Sequence, residues 1–176
     1  MKNTTLITIS IISVLSLYQA TTAQAGGFGR GGFARQNAAG GYSGGSGSAF
    51  RGPNGGSVGG RGFATDGQGN AVAGSGRMLH TPGGVAGRAG LTTHSADGTT
   101  THQGAFGASG IRGSAQSQGS SSYNAQTGLT ANRQTSAQAS TGQGYTGNTG
   151  YSQGTGVTHS GACTNASGQV VTCPRR

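Results

Sequence analysis

Leu91–His102 reads LTTHSADGTTTH. Two threonine-rich runs, Leu91–Thr93 and Thr99–His102, flank Ala96-Asp97-Gly98. Threonine, branched at its β-carbon, favours extended backbone, and an Asp-Gly couplet tolerates the positive φ of a tight turn. The stretch therefore reads as strand, turn, strand.

Similar punctuation recurs on both sides of it. Turn-forming clusters stand at Pro53-Asn54-Gly55, Asp66–Asn70, Pro82-Gly83-Gly84, Gln126-Thr127-Gly128 and Ala166-Ser167-Gly168, with extended-looking segments such as Gly128–Ala131 between them. One glycine per cluster gives Gly55, Gly69, Gly84, Gly98, Gly113, Gly128, Gly142, Gly156 and Gly168, a spacing of 14–15 residues that shortens only at the last step. Each unit is then a turn plus about ten extended residues, too few to bury a face alone. Neighbouring units would have to stack, as a β-solenoid or as a meander of hairpins.

Composition leaves a second outcome open. Beyond Ala25 the chain carries 16 large apolar side chains (Val, Leu, Ile, Met and Phe), and glycine makes up about a quarter of what remains. That falls well below the apolar content at which a conventional core forms, and disorder is the default for such chains. The fold class is therefore expected as mostly β or disordered: a low-complexity Gly-rich chain with β-hairpin or β-solenoid repeats of about 14–15 residues, preceded by a signal helix.

That helix is Met1–Ala25. Lys2 supplies a positive start, Leu6–Tyr18 an uncharged apolar run, and Ala23-Gln24-Ala25 the small residues read before cleavage. The run is shorter than the ~20 residues of a membrane-spanning helix. A secreted, periplasmic or cell-surface protein beginning at Gly26 is expected. Segment 26–51 reads as a flexible Gly/Arg/Phe-rich leader, 52–160 as turn-punctuated repeats rich in Gly, Ser, Thr and Gln, and 161–176 as a hairpin with a basic tip.

Cys163 and Cys173 bracket CTNASGQVVTC and are the chain's only cysteines. In an exported chain such a pair is expected to form a disulfide. If the two faced one another, they would close a hairpin with a three-residue loop around Gly168.

The mature segment holds ten arginines against Asp66 and Asp97, a net charge of +8. Such a balance favours anionic partners: polysaccharide, lipid or extracellular nucleic acid. Arg30, Arg35, Arg51 and Arg61, spaced among phenylalanines, are the expected contacts, and Gly29–Phe33 (GRGGF) is similar to the arginine-glycine-glycine boxes of RNA-binding proteins. With no Glu, two Asp and no ligand-spaced histidines, neither acid–base catalysis nor a metal or cofactor site is expected, nor a small-molecule substrate. His94 and His102 read as surface residues.

Gly67–Ala73 (GQGNAVA), with the Tyr, Gln, Gly and Asn bias and the export signal, resembles the repeats of curlin-type bacterial functional amyloids. More broadly the chain resembles small secreted glycine-rich surface proteins of bacteria. The turn-punctuated, low-charge polar repeats behind an export signal point to self-association through β-repeats. The expected function is a non-enzymatic structural or adhesive protein of the cell surface or matrix. A cationic, glycine-rich antimicrobial or envelope-active effector is the alternative.

Overall fold

The computed structural model describes residues 26–173. The expected signal helix at Met1–Ala25 and the Pro174–Arg176 tip lie outside the described residues. Eleven strands follow one another: β1 (Gly27–Gln36), β2 (Tyr42–Gly52), β3 (Gly55–Thr65), β4 (Ala71–Thr81), β5 (Gly84–His94), β6 (Thr100–Gly110), β7 (Gly113–Asn124), β8 (Gly128–Ala139), β9 (Gly144–Ser152), β10 (Gly156–Thr164) and the short β11 (Val170–Val171). They form one open antiparallel sheet in which spatial order equals chain order.

All nine glycines picked out by the 14–15-residue spacing have positive φ, as do Gly40 and Gly67. The turns explain why the interval alternates. At one end of the sheet the first three loops have five residues, beginning at Asn37, Asp66 and Ser95. In each of these the first residue's N–H donates to the fifth residue's carbonyl, at 2.9, 3.1 and 2.9 Å. Glycine takes the fourth place, with φ of 80° at Gly40, 96° at Gly69 and 83° at Gly98. At the other end Pro53-Asn54, Pro82-Gly83 and Ile111-Arg112 are two-residue turns. The repeating unit in this half is therefore a hairpin pair: Asn37, Asp66 and Ser95 are 29 residues apart, as are Pro53, Pro82 and Ile111.

Gly113 shows why its place in the two-residue turn needs glycine. Its φ is 132°, and a β-carbon there would run into the Gln138 carbonyl of the next hairpin. Side chains close the five-residue loops. Asn37 Oδ1 accepts from the N–H groups of Ala39 and Gly41, both at 3.1 Å, and Asp66 Oδ1 from those of Gln68 at 2.8 Å and Asn70 at 3.0 Å. Successive loops are also tied together, with the Ala96 N–H donating to Asn70 Oδ1 at 2.9 Å.

The strands settle the choice between a stacked β body and an unstructured chain. They also exclude the solenoid. Parallel stacking needs long crossover connections, whereas two- to five-residue loops reverse the chain and permit only antiparallel neighbours. Segment 26–51, expected as a flexible leader, carries β1 and nearly all of β2, paired over ten positions from Gly27↔Arg51 to Gln36↔Tyr42. Alternating small residues leave its backbone free to pair, and glycine content alone did not prevent it.

Among the described residues no apolar side chain is buried, and Ser117, 8% exposed, is the only buried polar one. The shortage of large apolar residues thus has its counterpart in a single layer whose two faces meet solvent. Stability comes from the backbone ladder and from hydrogen bonds between side chains on neighbouring strands, such as Thr93 Oγ1 with Thr101 Oγ1 at 2.6 Å.

Cys163 and Cys173 are joined, with their α-carbons 5.2 Å apart. The expected hairpin register needs correction. Cys163 lies opposite Val171 and Thr164 opposite Val170, around a five-residue loop Asn165–Gln169 rather than a three-residue one. Asn165 Oδ1 accepts from the N–H groups of Ser167 at 3.1 Å and Gln169 at 2.9 Å, which gives the longer loop its own closure. The disulfide therefore joins diagonal neighbours.

Candidate anion-binding face

Side chains alternate between the faces along a strand, and directly opposed residues share a face. The register therefore assigns every strand residue to one side. One row runs Arg30, Ser48, Gly59, Arg77, Arg88, Phe106, Ser117 and Thr135. The next row on that face runs Gly32, Ser46, Arg61, Ser75, Gly90, Gly104, Gly119, Arg133, Thr149 and His159. Five arginines thus share one side, the arginine face. Phe28, Phe50, Phe63 and Phe106 also fall there, as do all the strand tyrosines, leaving Phe33 the only phenylalanine on the other side.

Arg77 and Arg88 lie directly opposite one another. Like charges at opposed positions disfavour pairing, and no carboxylate offsets them. Asp66 and Asp97 are the chain's only acids, and both carboxylates are occupied in loops. Hydrogen bonds from the Asn70 side chain and the Gln68 N–H hold Asp66 below the ordinary carboxylate range. The Thr99 N–H and side chain do the same for Asp97. No arginine contributes to either shift.

A shallow trough of about 440 Å³ opens on the arginine face. Gly104 and Gly119 form its floor, Arg88 and Phe106 stand on one side, His102 on the other, and Arg133 and Tyr151 towards one end. His102 is held by a 2.8 Å hydrogen bond between Nδ1 and Thr92 Oγ1. Its Nε2 would lie 3.4 Å from a β-carbon at Gly104, so the imidazole leans over the glycine floor. Arg133 Nε donates to Ser117 Oγ at 2.7 Å, and Ser117 donates onward to the Gln134 carbonyl at 3.1 Å. This fixes the guanidinium stem and leaves its terminal N–H groups, the fork that suits carboxylate or phosphate, without a protein partner among the described residues.

The opposite face has different chemistry. One row runs Gly31, Gly47, Gly60, Gly76, Ala89, Ala105, Gln118, Gln134, Asn148 and Ser160. A larger trough of about 680 Å³ on this side is lined by small residues with Gln116, Gln138, Met78, Val85 and Tyr145, and holds no charged group. Its size does not make it the better anion site, because nothing in it can neutralise charge.

The four arginines singled out in the sequence are divided between these faces. Arg30 and Arg61 lie on the arginine face, where Arg61 Nε donates to Ser46 Oγ at 3.1 Å. Arg35 and Arg51 lie on the other, with Arg35 over the Phe33 ring at 5.8 Å. Arg77, Arg88 and Arg133, the centre of the basic face, were not singled out. Counting parity outward from the turn glycines was the signal that could have found them. Among the described residues no group of three His, Cys, Asp or Glu is placed to hold a metal ion. No protein-family model, curated protein or solved structure matches the chain.

Proposed function

We propose that the chain is a non-enzymatic structural or adhesive protein of the cell surface or extracellular matrix. It is exported after cleavage near Ala25, binds anionic polymers through the arginine face and self-associates through its sheet. One observation carries the reading: Arg77 opposes Arg88 on an exposed face with no acid to balance them. The like-charge pair costs a fold held by cross-strand pairs stability that a bound anion would restore. The interleaved aromatics support the same reading, because exposed rings beside arginine suit the C–H faces of sugars or the flat bases of nucleic acid, and arginine their charged groups.

The experiment is retention of Gly26–Arg176 on matrices of an acidic polysaccharide, of single-stranded DNA and of uncharged dextran, over a range of salt. Retention on the anionic matrices should fall steeply with salt, and Arg77→Ser/Arg88→Ser should elute earlier than Arg35→Ser/Arg51→Ser. Equal elution of the two double variants would remove the arginine face as the site. Binding to dextran as strong as to the anionic matrices would remove the charge-based reading altogether.

A further inference from the structure

We propose that the β1 edge of one molecule pairs with the β10 edge of the next, so that the chain polymerises head to tail into an open ribbon one sheet thick. This rests on the self-association reading above and names the surfaces that perform it. Among the described residues β1 has a neighbour only in β2, and all ten of its residues are exposed. A strand edge of that kind presents a row of unpaired N–H and C=O groups; β1 has no proline, and its two charges, Arg30 and Arg35, would meet no arginine or lysine in Gly156–Ala162 of β10. At the other end, among the described residues, β11 covers Cys163 and Thr164 and no strand pairs with the outer side of Gly156–Ala162 of β10.

Strand parity makes the two edges complementary. Directions alternate through the meander, so β1 and β10 run opposite ways. A second copy displaced along the sheet, without being turned over, brings its β1 antiparallel to β10. Antiparallel alternation then continues unbroken, and the arginine face of one molecule extends into that of the next. Such a contact joins two different surfaces and does not close on itself, which gives a filament rather than a dimer. The sheet's right-handed strand twist would wind it. The disulfide-held β11 shields one end of the β10 edge, so the incoming strand meets the seven residues Gly156–Ala162.

The test is amide hydrogen exchange by mass spectrometry on oxidised Gly26–Arg176, at concentrations where light scattering reports monomer and then assembly. On assembly, protection should rise in Gly27–Gln36 and Gly156–Ala162, with little change in β4–β7. Gly29→Lys/Gly31→Lys is the companion variant, since β-carbons at both positions meet open space. It should keep the monomer's circular dichroism and melt while raising the concentration needed for assembly about tenfold. Assembly with both edges as unprotected as in the monomer would overturn edge pairing and leave self-association standing, for example by stacking of the glycine and amide faces. A monomer at every concentration would overturn both.

Discussion

Arg77 and Arg88 provide a direct test of the register on which the face assignments depend. They are opposed across β4 and β5, where β-carbons stand ~4.5–5.5 Å apart. Replacing one with glutamate removes a like-charge pair worth ~0.2–1 kcal/mol and creates an opposite-charge pair of similar size. Allowing for solvent exposure, Arg77→Glu or Arg88→Glu should each stabilise the sheet by about 0.5–1 kcal/mol. For a domain of this size that corresponds to a Tm rise of roughly 1–4 °C. The double variant restores a like-charge pair, so its Tm should return close to the starting value, a non-additivity of about 1–2 kcal/mol. A general gain from lowering the net charge would instead be additive. Thermal melts followed by circular dichroism at low salt measure all four proteins, and the coupling should shrink in 1 M salt, where the screening length is ~3 Å. Both single variants should also bind acidic polysaccharide less tightly, so stability and binding move in opposite directions. Additive Tm changes would refute the reasoning. A register slip of one residue would put one of the two side chains on the other face and abolish the coupling.

Three further outcomes are expected. Asp66 and Asp97 have folded-state pKa values below the ordinary carboxylate value, so their stabilisation is complete above the unfolded value and is lost as pH falls through the folded one. Tm should be flat above ~pH 5 and drop below ~pH 4, and Asp66→Asn/Asp97→Asn should flatten that drop. Gly113→Ala should cost about 1–3 kcal/mol in denaturant unfolding, whereas Gly107→Ala, whose β-carbon meets open space, should be near neutral. Reducing Cys163–Cys173 removes a cross-link worth about 2–3 kcal/mol by loop closure. Hydrogen exchange should show that loss at β10–β11 and leave β2–β7 unchanged, because each strand contacts only its neighbours.

From Gly55 onward the sequence by itself determined where the chain turns, whereas the Asn37–Gly41 turn lay unread inside the expected flexible leader. Gly55, Gly69, Gly84 and Gly98 were legible because a turn needing positive φ is a local demand that few residues besides glycine meet at low cost. The scarcity of a core was equally legible, because apolar inventory is a property of composition. So was the joining of Cys163 and Cys173, the only two cysteines present. Loop length was less so: Asn165 closes a five-residue loop through its side chain, and that shifted the hairpin register by two residues from the facing-cysteine arrangement.

Only the tertiary structure decided which side chains share a face. Arg77 and Arg88 are separated by a turn and eleven positions of sequence, and their opposition depends on Pro82-Gly83 being a two-residue turn. Arg30 and Arg35 are close in sequence, yet their odd separation along one strand sends them to opposite sides. Side-chain direction in a strand has period two, so one residue more or less in any loop reassigns every later residue to the other face. Turn positions follow from local conformational preference. The arginine face, its glycine-floored trough and the two edges of the described sheet follow from the summed register of ten loops.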